Sequence, residues 1–326
     1  SLFVETGNVP DLDVVIVDEA QDLSLLQWRV CEKIFKNAKR VYISGDDDQA
    51  IFRWAGADVE HLINMKGNKR VLDQSYRCPR LVHNVADEIV QRIVNRLPKV
   101  WKPRDVNGEA RFHAYTEGVD VREGNWLVLA TCKYMYAEME DDLRIQGLPY
   151  KKNGKLPIDK ELLNAVDTWD RLHCGEHVSY KNVEDMYSYL PSKKALKHGH
   201  KNMKSFIDED KSYDILDLKE NHGLKLSNVP WDVAFDSVGK KDAEYIKNLQ
   251  RFDNIRQDPK INMSTIHVAK GGECDNVMLM TDLSRANQIE MEQDSDDTNR
   301  VMYVGATRAK KSLHVISNQN YGGFKI

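Results

Sequence analysis

Two apolar runs near the start of the chain each end in polar residues. Residues 14–17 read Val-Val-Ile-Val without a polar interruption, which predicts a strand covered on both faces. The acidic pair 18–19 follows it, a helix is predicted over 24–36, and a second strand over 41–43 leads into Ser-Gly-Asp at 44–46. Strand, helix and strand with polar residues at both carboxyl ends are typical of an open parallel α/β sheet that presents a site there.

The later apolar runs predict more of this architecture around one long interruption. Residues 151–260 are polar and lysine-rich, and they are helical where they are periodic. The acidic run 290–297 predicts a solvated loop. We therefore expect an α/β domain interrupted by a mostly helical insertion. The predicted strands are 70–73, 126–130, 262–268, 276–280 and 313–316, and the predicted helices include 81–95, 160–172 and 242–252.

Composition places the chain in a broad class only. Its 326 residues suffice for two or three domains, and 41% hydrophobic with 30% charged residues is typical of a soluble protein. No apolar run approaches the roughly eighteen residues of a membrane span, so no membrane partner is expected. Five scattered cysteines indicate a reducing compartment, and we expect a cytoplasmic protein that is a monomer or self-associates weakly. The net charge of −4 does not decide DNA binding, because a local basic groove would.

The acidic segment after the first strand permits two interpretations. A carboxylate at a strand's carboxyl end, here Asp18, can hold Mg²⁺ through water while the next one, Glu19, orients an attacking water. Alternatively, the segment is an acidic helix N-terminus, which the helix dipole favours. From this segment alone both interpretations stand.

The second acidic segment has three consecutive aspartates, Asp46, Asp47 and Asp48, before Gln49. Because like charges repel, a bound cation or the hydrogen bonds of a ligand would explain them. The aromatic–basic–aromatic triplet 52–54 follows, and such triplets can stack on bases and contact phosphates. The alternative for the triplet is a helix start that faces the core.

Taken together, five segments resemble motifs II to VI of the UvrD/Rep-type superfamily 1 DNA helicases, in the order of that family. They cover 11 to about 150 and 260–318 with the elements around them. The resemblance implies an α/β P-loop NTPase fold of RecA-like parallel sheets, with ATP and Mg²⁺ as cofactors. The segments are 18–22 (DEAQD), 45–57 (GDDDQAIFRWAGA), 74–77 (QSYR), 264–273 (STIHVAKGGE) and 301–309 (VMYVGATRA).

The resemblance also implies roles in ATP hydrolysis. Asp18 would bind Mg²⁺, and Glu19 would be the base that activates the hydrolytic water. Gln49 would sense the γ-phosphate and relay its presence to the DNA site. Arg77 and Arg308 would be arginine fingers, which can increase the rate by roughly 10³–10⁵-fold.

Further residues are implied to bind the nucleotide and the DNA. Tyr76 would stack on adenine, Glu273 would accept a hydrogen bond from the ribose, and Arg300, directly before the motif VI segment, would bind the nucleotide. On the DNA side, Trp54 would stack on a base and His267 would couple DNA to the nucleotide site. Phe52 and Arg53 complete the expected DNA-binding set.

Two departures from the family pattern matter. Where the family has Trp-Arg-Gly-Ala, this chain has Trp-Ala-Gly-Ala at 54–57, and the arginine precedes the tryptophan as Arg53. Neighbouring helical positions point about 100° apart, so Arg53 need not reach the same phosphate. The pattern GxxxxGK[ST] of the phosphate-binding loop is absent from the 326 residues. We therefore expect no significant ATP hydrolysis by this chain alone.

Three functions remain open at this stage. The first is an ATP-dependent helicase that moves 3′-to-5′ on single-stranded DNA and unwinds duplex DNA, with its polarity taken from the resemblance. The second is a non-catalytic DNA-binding or regulatory relative. The third is a Mg²⁺-dependent nuclease built on Asp18, Glu19 and Asp46–Asp48. The expected domains are part of the first RecA-like domain (1–69), the second RecA-like domain (70–152 and 260–326) and a reduced helical insertion (153–259).

Overall fold

The computed structural model describes residues 2–9, 11–201, 211–226, 228–317 and 323–326. The chain divides into two compact units, one formed by Ser1–Ala137 with Ile261–Ile326 and the other by Glu138–Lys260. Among the described residues, no helix combines the length and the apolar character that crossing a membrane requires.

After a short first helix, the first unit forms a strand–helix–strand element, as predicted. Strands β1 and β2 pair in parallel, and Val15 lies opposite Val41. Helix α2 joins them, and a capping box between Ser24 and Gln27 fixes its start. Its Trp28 is completely buried. The elements are α1 (Leu2–Thr6), β1 (Leu12–Val17), α2 (Leu25–Phe35), β2 (Ala38–Ile43) and α3 (Val59–Ile63).

The prediction that the first strand is covered on both faces is wrong for the described residues. Val14 is 47% exposed and Ile16 is 73% exposed. Exposed and half-buried side chains alternate from residue 14 to residue 17, and no residue of this strand is fully buried. An uninterrupted apolar run therefore identified the strand but not its surroundings.

The next strand starts four residues later than predicted. Residues 70–73 are irregular, and β3 begins at Gln74, which lies opposite Lys102 of β4 in a parallel pair. The register comes from a partner about thirty residues away, which local periodicity does not reveal. The predicted helix 81–95 also ends early, at Val90. These elements are β3 (Gln74–Pro79), α4 (Arg80–Val90), β4 (Lys102–Arg104), β5 (Glu109–His113) and β6 (Trp126–Ala130).

The second unit is mostly helical, as predicted for the insertion. Trp169, Tyr187 and Phe235 form part of its interior, and the Trp169 indole donates to the Val229 carbonyl at 3.1 Å. Its elements are α5 (Ala137–Ile145), β7 (Tyr150–Lys152), α6 (Lys160–His173), β8 (Val178–Ser179), α7 (Tyr180–Tyr189), β9 (Ser212–Tyr213), α8 (Ile215–Glu220), α9 (Trp231–Ala234) and α10 (Lys240–Arg251).

The chain then returns to the first unit and completes its main sheet. Five parallel strands of this unit lie in the order β5-β12-β11-β6-β10. The strand predicted at 126–130 is confirmed as β6, and all five of its residues are buried, which is typical of a central parallel strand. The α/β class with parallel sheets is confirmed. The returning elements are β10 (Ile261–Thr265), β11 (Cys274–Met280), α11 (Arg285–Gln293), α12 (Ser295–Ala306) and β12 (Ala309–Ile316).

The acidic run 290–297 is not the solvated loop that the sequence predicts. It spans the junction of α11 and α12, where the Asp294 carboxylate accepts the Asp296 N–H at 3.0 Å and caps α12. Asp296 is buried and accepts the backbone N–H groups of Val94 and Asn95, both at 2.8 Å. Carboxylates at a helix start are favoured by unpaired N–H groups, which composition alone does not reveal.

Candidate active site

The carboxyl end of β1 presents two exposed carboxylates, Asp18 and Glu19. Asp18 Oδ1 accepts the Glu19 N–H at 2.9 Å and a short hydrogen bond from the Ser44 hydroxyl of the neighbouring strand. These two bonds, the Ser44 bond above all, hold the pKa of Asp18 below its usual range. The carboxylate is therefore ionised and oriented at neutral pH.

Glu19 occupies a left-handed backbone conformation with φ of 51°, which is costly for any residue except glycine. Its Oε2 accepts the Gln21 side-chain amide at 2.5 Å. Gln21 is completely buried, and its Oε1 accepts the Asp46 N–H at 3.0 Å. Gln21 thus ties the two acidic strand ends together. Gln21 was not among the predicted site residues, although it lies inside the DEAQD segment.

The three aspartates 46–48, here called the aspartate cluster, are paired with two cations of the chain. Arg96 holds Asp48 through Nε at 2.8 Å and through its terminal nitrogen at 2.7 Å. Lys99 Nζ contacts all three carboxylates. The expected cation is therefore internal. These ion pairs also weigh against a nuclease built on the aspartate cluster, because its oxygens already serve Arg96 and Lys99.

Gln49 connects the aspartate cluster to Arg308, one of the predicted arginine fingers. The Gln49 amide donates to Asp46 Oδ2 at 2.7 Å, and Gln49 Oε1 accepts from Arg308 at 3.2 Å. Arg308 is almost completely buried, and it also donates to the Val304 and Gly272 carbonyls at 2.9 and 3.2 Å. Burial, together with repulsion from a nearby arginine, lowers the pKa of Arg308 to about 10. Arg308 is still a cation at neutral pH.

The second predicted arginine finger, Arg77, lies beside Arg308. Arg77 donates to Glu273 Oε2 at 3.0 Å and to the Thr307 carbonyl at 3.5 Å, while Arg308 donates to the Thr307 hydroxyl at 3.2 Å. Lys310 contacts the other Glu273 oxygen at 3.1 Å, and these two cations, Lys310 above all, lower the pKa of Glu273. The structure therefore brings Arg77, Arg308 and Glu273 together.

Tyr76 and Arg300 have opposite environments. Tyr76 is 85% exposed, so its ring is available to a planar ligand. Arg300 is completely buried and donates to the Asp47 carbonyl at 3.0 Å and the Asn95 carbonyl at 2.6 Å. The described contacts of Arg300 are thus internal ones that fasten α12 to the aspartate cluster.

Three of the four predicted DNA-binding residues form one group. The His267 ring lies 6.1 Å from the ring of Phe52 and 6.1 Å, edge on, from the ring of Trp54. Trp54 is 74% exposed. Burial lowers the pKa of His267, so the ring is neutral at pH 7.

Arg53, the fourth predicted DNA contact, is engaged inside the chain. Its guanidinium pairs with Asp297 at 2.9 Å and with Asp294 at 3.4 Å, both at the start of α12. Each of the two carboxylates is partly exposed, so these pairs are of the weak, solvent-screened kind.

Lys270, which was not among the predicted site residues, joins Asp22 and Gln49 to the Phe52 ring. Its ammonium contacts the two Asp22 oxygens at 2.7 and 2.5 Å and the Gln49 carbonyl at 2.9 Å. It also lies 5.0 Å from the centre of the Phe52 ring, within cation–π range. Its position in the STIHVAKGGE segment was the available signal.

Two family models match the chain. A model described as "UvrD/REP helicase N-terminal domain" matches residues 10–70, and one described as "UvrD-like helicase C-terminal domain" matches residues 158–320. The second match alone covers half of the chain. The chain therefore belongs to the UvrD/Rep helicase family.

Individual relatives agree with this assignment. The chain is 24% identical over 181 residues to "ATP-dependent DNA helicase PcrA" of Staphylococcus aureus and of Bacillus subtilis, covering 53% of this chain and 24% of each relative. It is 22% identical over 379 residues to "Probable DNA helicase II homolog" of Mycoplasma genitalium, covering 92% of this chain and 54% of that protein. The chain thus spans about a quarter to a half of the length of these curated relatives.

Proposed function

We propose that the natural gene product containing these 326 residues is an ATP-dependent DNA helicase. In this proposal it couples ATP hydrolysis to 3′-to-5′ movement on single-stranded DNA and unwinds duplex DNA. It works in the cytoplasm as a monomer or a weakly associating protein. The division into 1–69, 70–152 with 260–326, and 153–259 is proposed with it.

The observation that supports this proposal most directly is the position of Gln49, which lies between the pair Asp46 and Arg308 on one side and Lys270 on the other. Its side chain joins Asp46 to Arg308, and its carbonyl is held by Lys270, which lies against the Phe52 ring. Because Gln49 is bonded to Asp46 and Arg308 and is linked to the Phe52 ring through Lys270, it is suited to pass a change at a nucleotide to the aromatic residues. Such a link is what a DNA-stimulated ATPase requires.

The hydrolytic roles follow from charge and exposure. Mg²⁺ is usually bound through one or two carboxylates, water and the phosphates of the substrate. Asp18 fits that use, because it is exposed and both of its described hydrogen bonds go to Oδ1. Glu19 serves as the general base. Arg77 and Arg308 stabilise the charge that develops on the transferred phosphoryl group.

The remaining proposed roles concern nucleotide and DNA binding. Tyr76 stacks on the adenine, Glu273 accepts from the ribose after exchanging one of its cations, and Arg300 supports the nucleotide site from the buried side. Phe52, Trp54 and His267 bind and couple DNA bases. Arg53 contributes once it leaves its carboxylate partners. We also propose that the chain alone, without a GxxxxGK[ST] loop, hydrolyses no ATP.

The test is ATP hydrolysis by the natural gene product, with and without single-stranded DNA, beside Glu19→Gln. We expect hydrolysis that DNA stimulates and that falls by about 10²–10⁴-fold in Glu19→Gln, because that variant keeps the shape but loses the base. A Mg²⁺-free sample is the matched control. DNA binding without any hydrolysis would support instead a non-catalytic DNA-binding relative.

A further inference from the structure

The three members of the aspartate cluster receive different partners. Arg96 contacts Asp48, and the Leu97 N–H donates to Asp47 Oδ2 at 2.7 Å. Lys99 reaches Asp48 at 2.9 Å and Asp46 at 3.1 Å, and it makes a shorter contact with Asp47. Among the described residues, Lys99 is the one cation within ion-pair distance of Asp46.

Asp46 is also the member of the aspartate cluster that touches the candidate nucleotide site. Its Oδ2 accepts the Gln49 amide at 2.7 Å, while its Oδ1 faces Lys99. Its backbone N–H donates to Gln21, which in turn donates to Glu19. The orientation of this single carboxylate therefore affects both Gln49 and the segment that carries the proposed base.

We propose that Lys99 is a positioning residue of the ATP site: its ammonium holds the Asp46 carboxylate in the orientation that accepts the Gln49 amide. Lys99 lies in the segment after α4, outside the five motif segments, and only 16% of its side chain is exposed. The inference rests on the proposed function, because the position of Gln49 has a catalytic consequence only in a working ATPase.

The electrostatics of the site support this role. Burial raises the pKa of Asp46, and repulsion from the Asp48 carboxylate raises it further. Lys99 and the Gln49 amide lower it, because they favour the charged form of Asp46. Tyr303 of α12 also interacts electrostatically with Asp46. Loss of Lys99 would remove a contribution that lowers the pKa of Asp46, and a carboxyl that gains a proton is a weaker acceptor for the Gln49 amide.

Arg96 provides a matched control for Lys99. Both cations are mostly buried and both contact Asp48, but no described contact joins Arg96 to Asp46 or Gln49. A purely structural role of these ion pairs predicts similar consequences when either cation is removed. A positioning role predicts a catalytic consequence for Lys99 alone.

The first measurement is ATP hydrolysis by the natural gene product at saturating single-stranded DNA. We expect kcat to fall about tenfold in Lys99→Met with the KM for ATP nearly unchanged, as when one charge-assisted hydrogen bond is lost. Lys99→Arg should recover most of kcat, and Arg96→Met should remain near the unchanged protein. Equal losses in Lys99→Met and Arg96→Met, or no loss in Lys99→Met, would overturn the proposal.

The second measurement needs no hydrolysis and uses the chain itself. The ¹⁵N NMR signals of the Gln49 side-chain amide, assigned through Gln49→Met, should shift in Lys99→Met and acquire a pH titration. They should remain unchanged in Arg96→Met. Lys99→Gln repeats the comparison where the Met variant does not fold. An unshifted signal would refute the positioning role, whereas a shifted signal in a protein without ATPase activity would refute only the proposed function.

Discussion

Two neighbouring strand ends carry carboxylates in opposite settings. After β1, Asp18 and Glu19 are exposed, and their described partners are neutral donors apart from a distant Lys270 contact at 3.9 Å. After β2, Asp47 and Asp48 are buried and paired with cations of the chain. Carboxylates at the first end are thus open to solvent, whereas those at the second end are bound into the fold. Exposure and the charge of the partner, more than residue type, distinguish the two roles.

The largest expected effect is on stability at the buried end. Asp48→Ala removes both bonds of Arg96 and one contact of Lys99, so it leaves buried positive charge uncompensated. We expect a loss of about 3–5 kcal/mol in the free energy of unfolding, measured by urea denaturation. Asp18→Ala, the matched change at the exposed end, should leave the free energy of unfolding close to that of the unchanged protein. Equal losses for both variants would break the comparison.

The next effect concerns DNA binding by an exposed side chain. Trp54→Ala should weaken binding of single-stranded DNA by about 1–3 kcal/mol, because a stacking partner for a base is lost. Fluorescence anisotropy with a labelled oligonucleotide measures it. Because Trp54 is 74% exposed, the melting temperature should change little. Trp54→Phe is the control that retains an aromatic face. Unchanged affinity in Trp54→Ala would remove this residue from the DNA site.

A smaller effect tests how the exposed end is tuned. Ser44→Ala deletes the hydroxyl that is the main cause of the lowered pKa of Asp18. The pKa of Asp18 should therefore rise toward its ordinary value, which a ¹³C NMR titration of its carboxyl group measures. Ser44→Thr, which keeps the hydroxyl, should preserve the low pKa. An unchanged pKa of Asp18 in Ser44→Ala would show that the Ser44 hydroxyl does not lower it.

The smallest effect is a pH dependence at the buried end. The pKa of Asp46 is raised in the folded chain, mainly by burial, so the folded state holds this proton more tightly than the unfolded state. The contribution of Asp46 to stability should fall as pH rises from about 4, the usual Asp value, through its raised pKa. Unfolding curves of the unchanged protein and of Asp46→Asn at several pH values isolate the contribution of Asp46 to stability. A contribution that grows with pH would contradict the assignment.

Sequence patterns predicted the buried central strand of the main sheet, and the motif segments identified residues that contact one another in the structure. The run 126–130 coincides with β6, and the link between Gln49 and Arg308 joins two predicted site residues. The partners of the aspartate cluster could not be predicted, because Arg96 and Lys99 lie about fifty residues away in an irregular segment. The exposure of β1 was also not predicted, because an apolar run in the sequence does not reveal which other parts of the chain pack against it.

The left-handed backbone conformation of Glu19 has a consequence for the engineering of more stable variants. A non-glycine residue at φ of 51° costs about 1–3 kcal/mol, so glycine at this position would relieve strain. A search for thermostable variants, screened on folding alone, would therefore select against the side chain proposed as the general base. Strain retained at one residue and relieved by inactivating substitutions is the pattern expected of a trade-off between stability and activity. Selection experiments on this helicase family should score turnover alongside heat resistance.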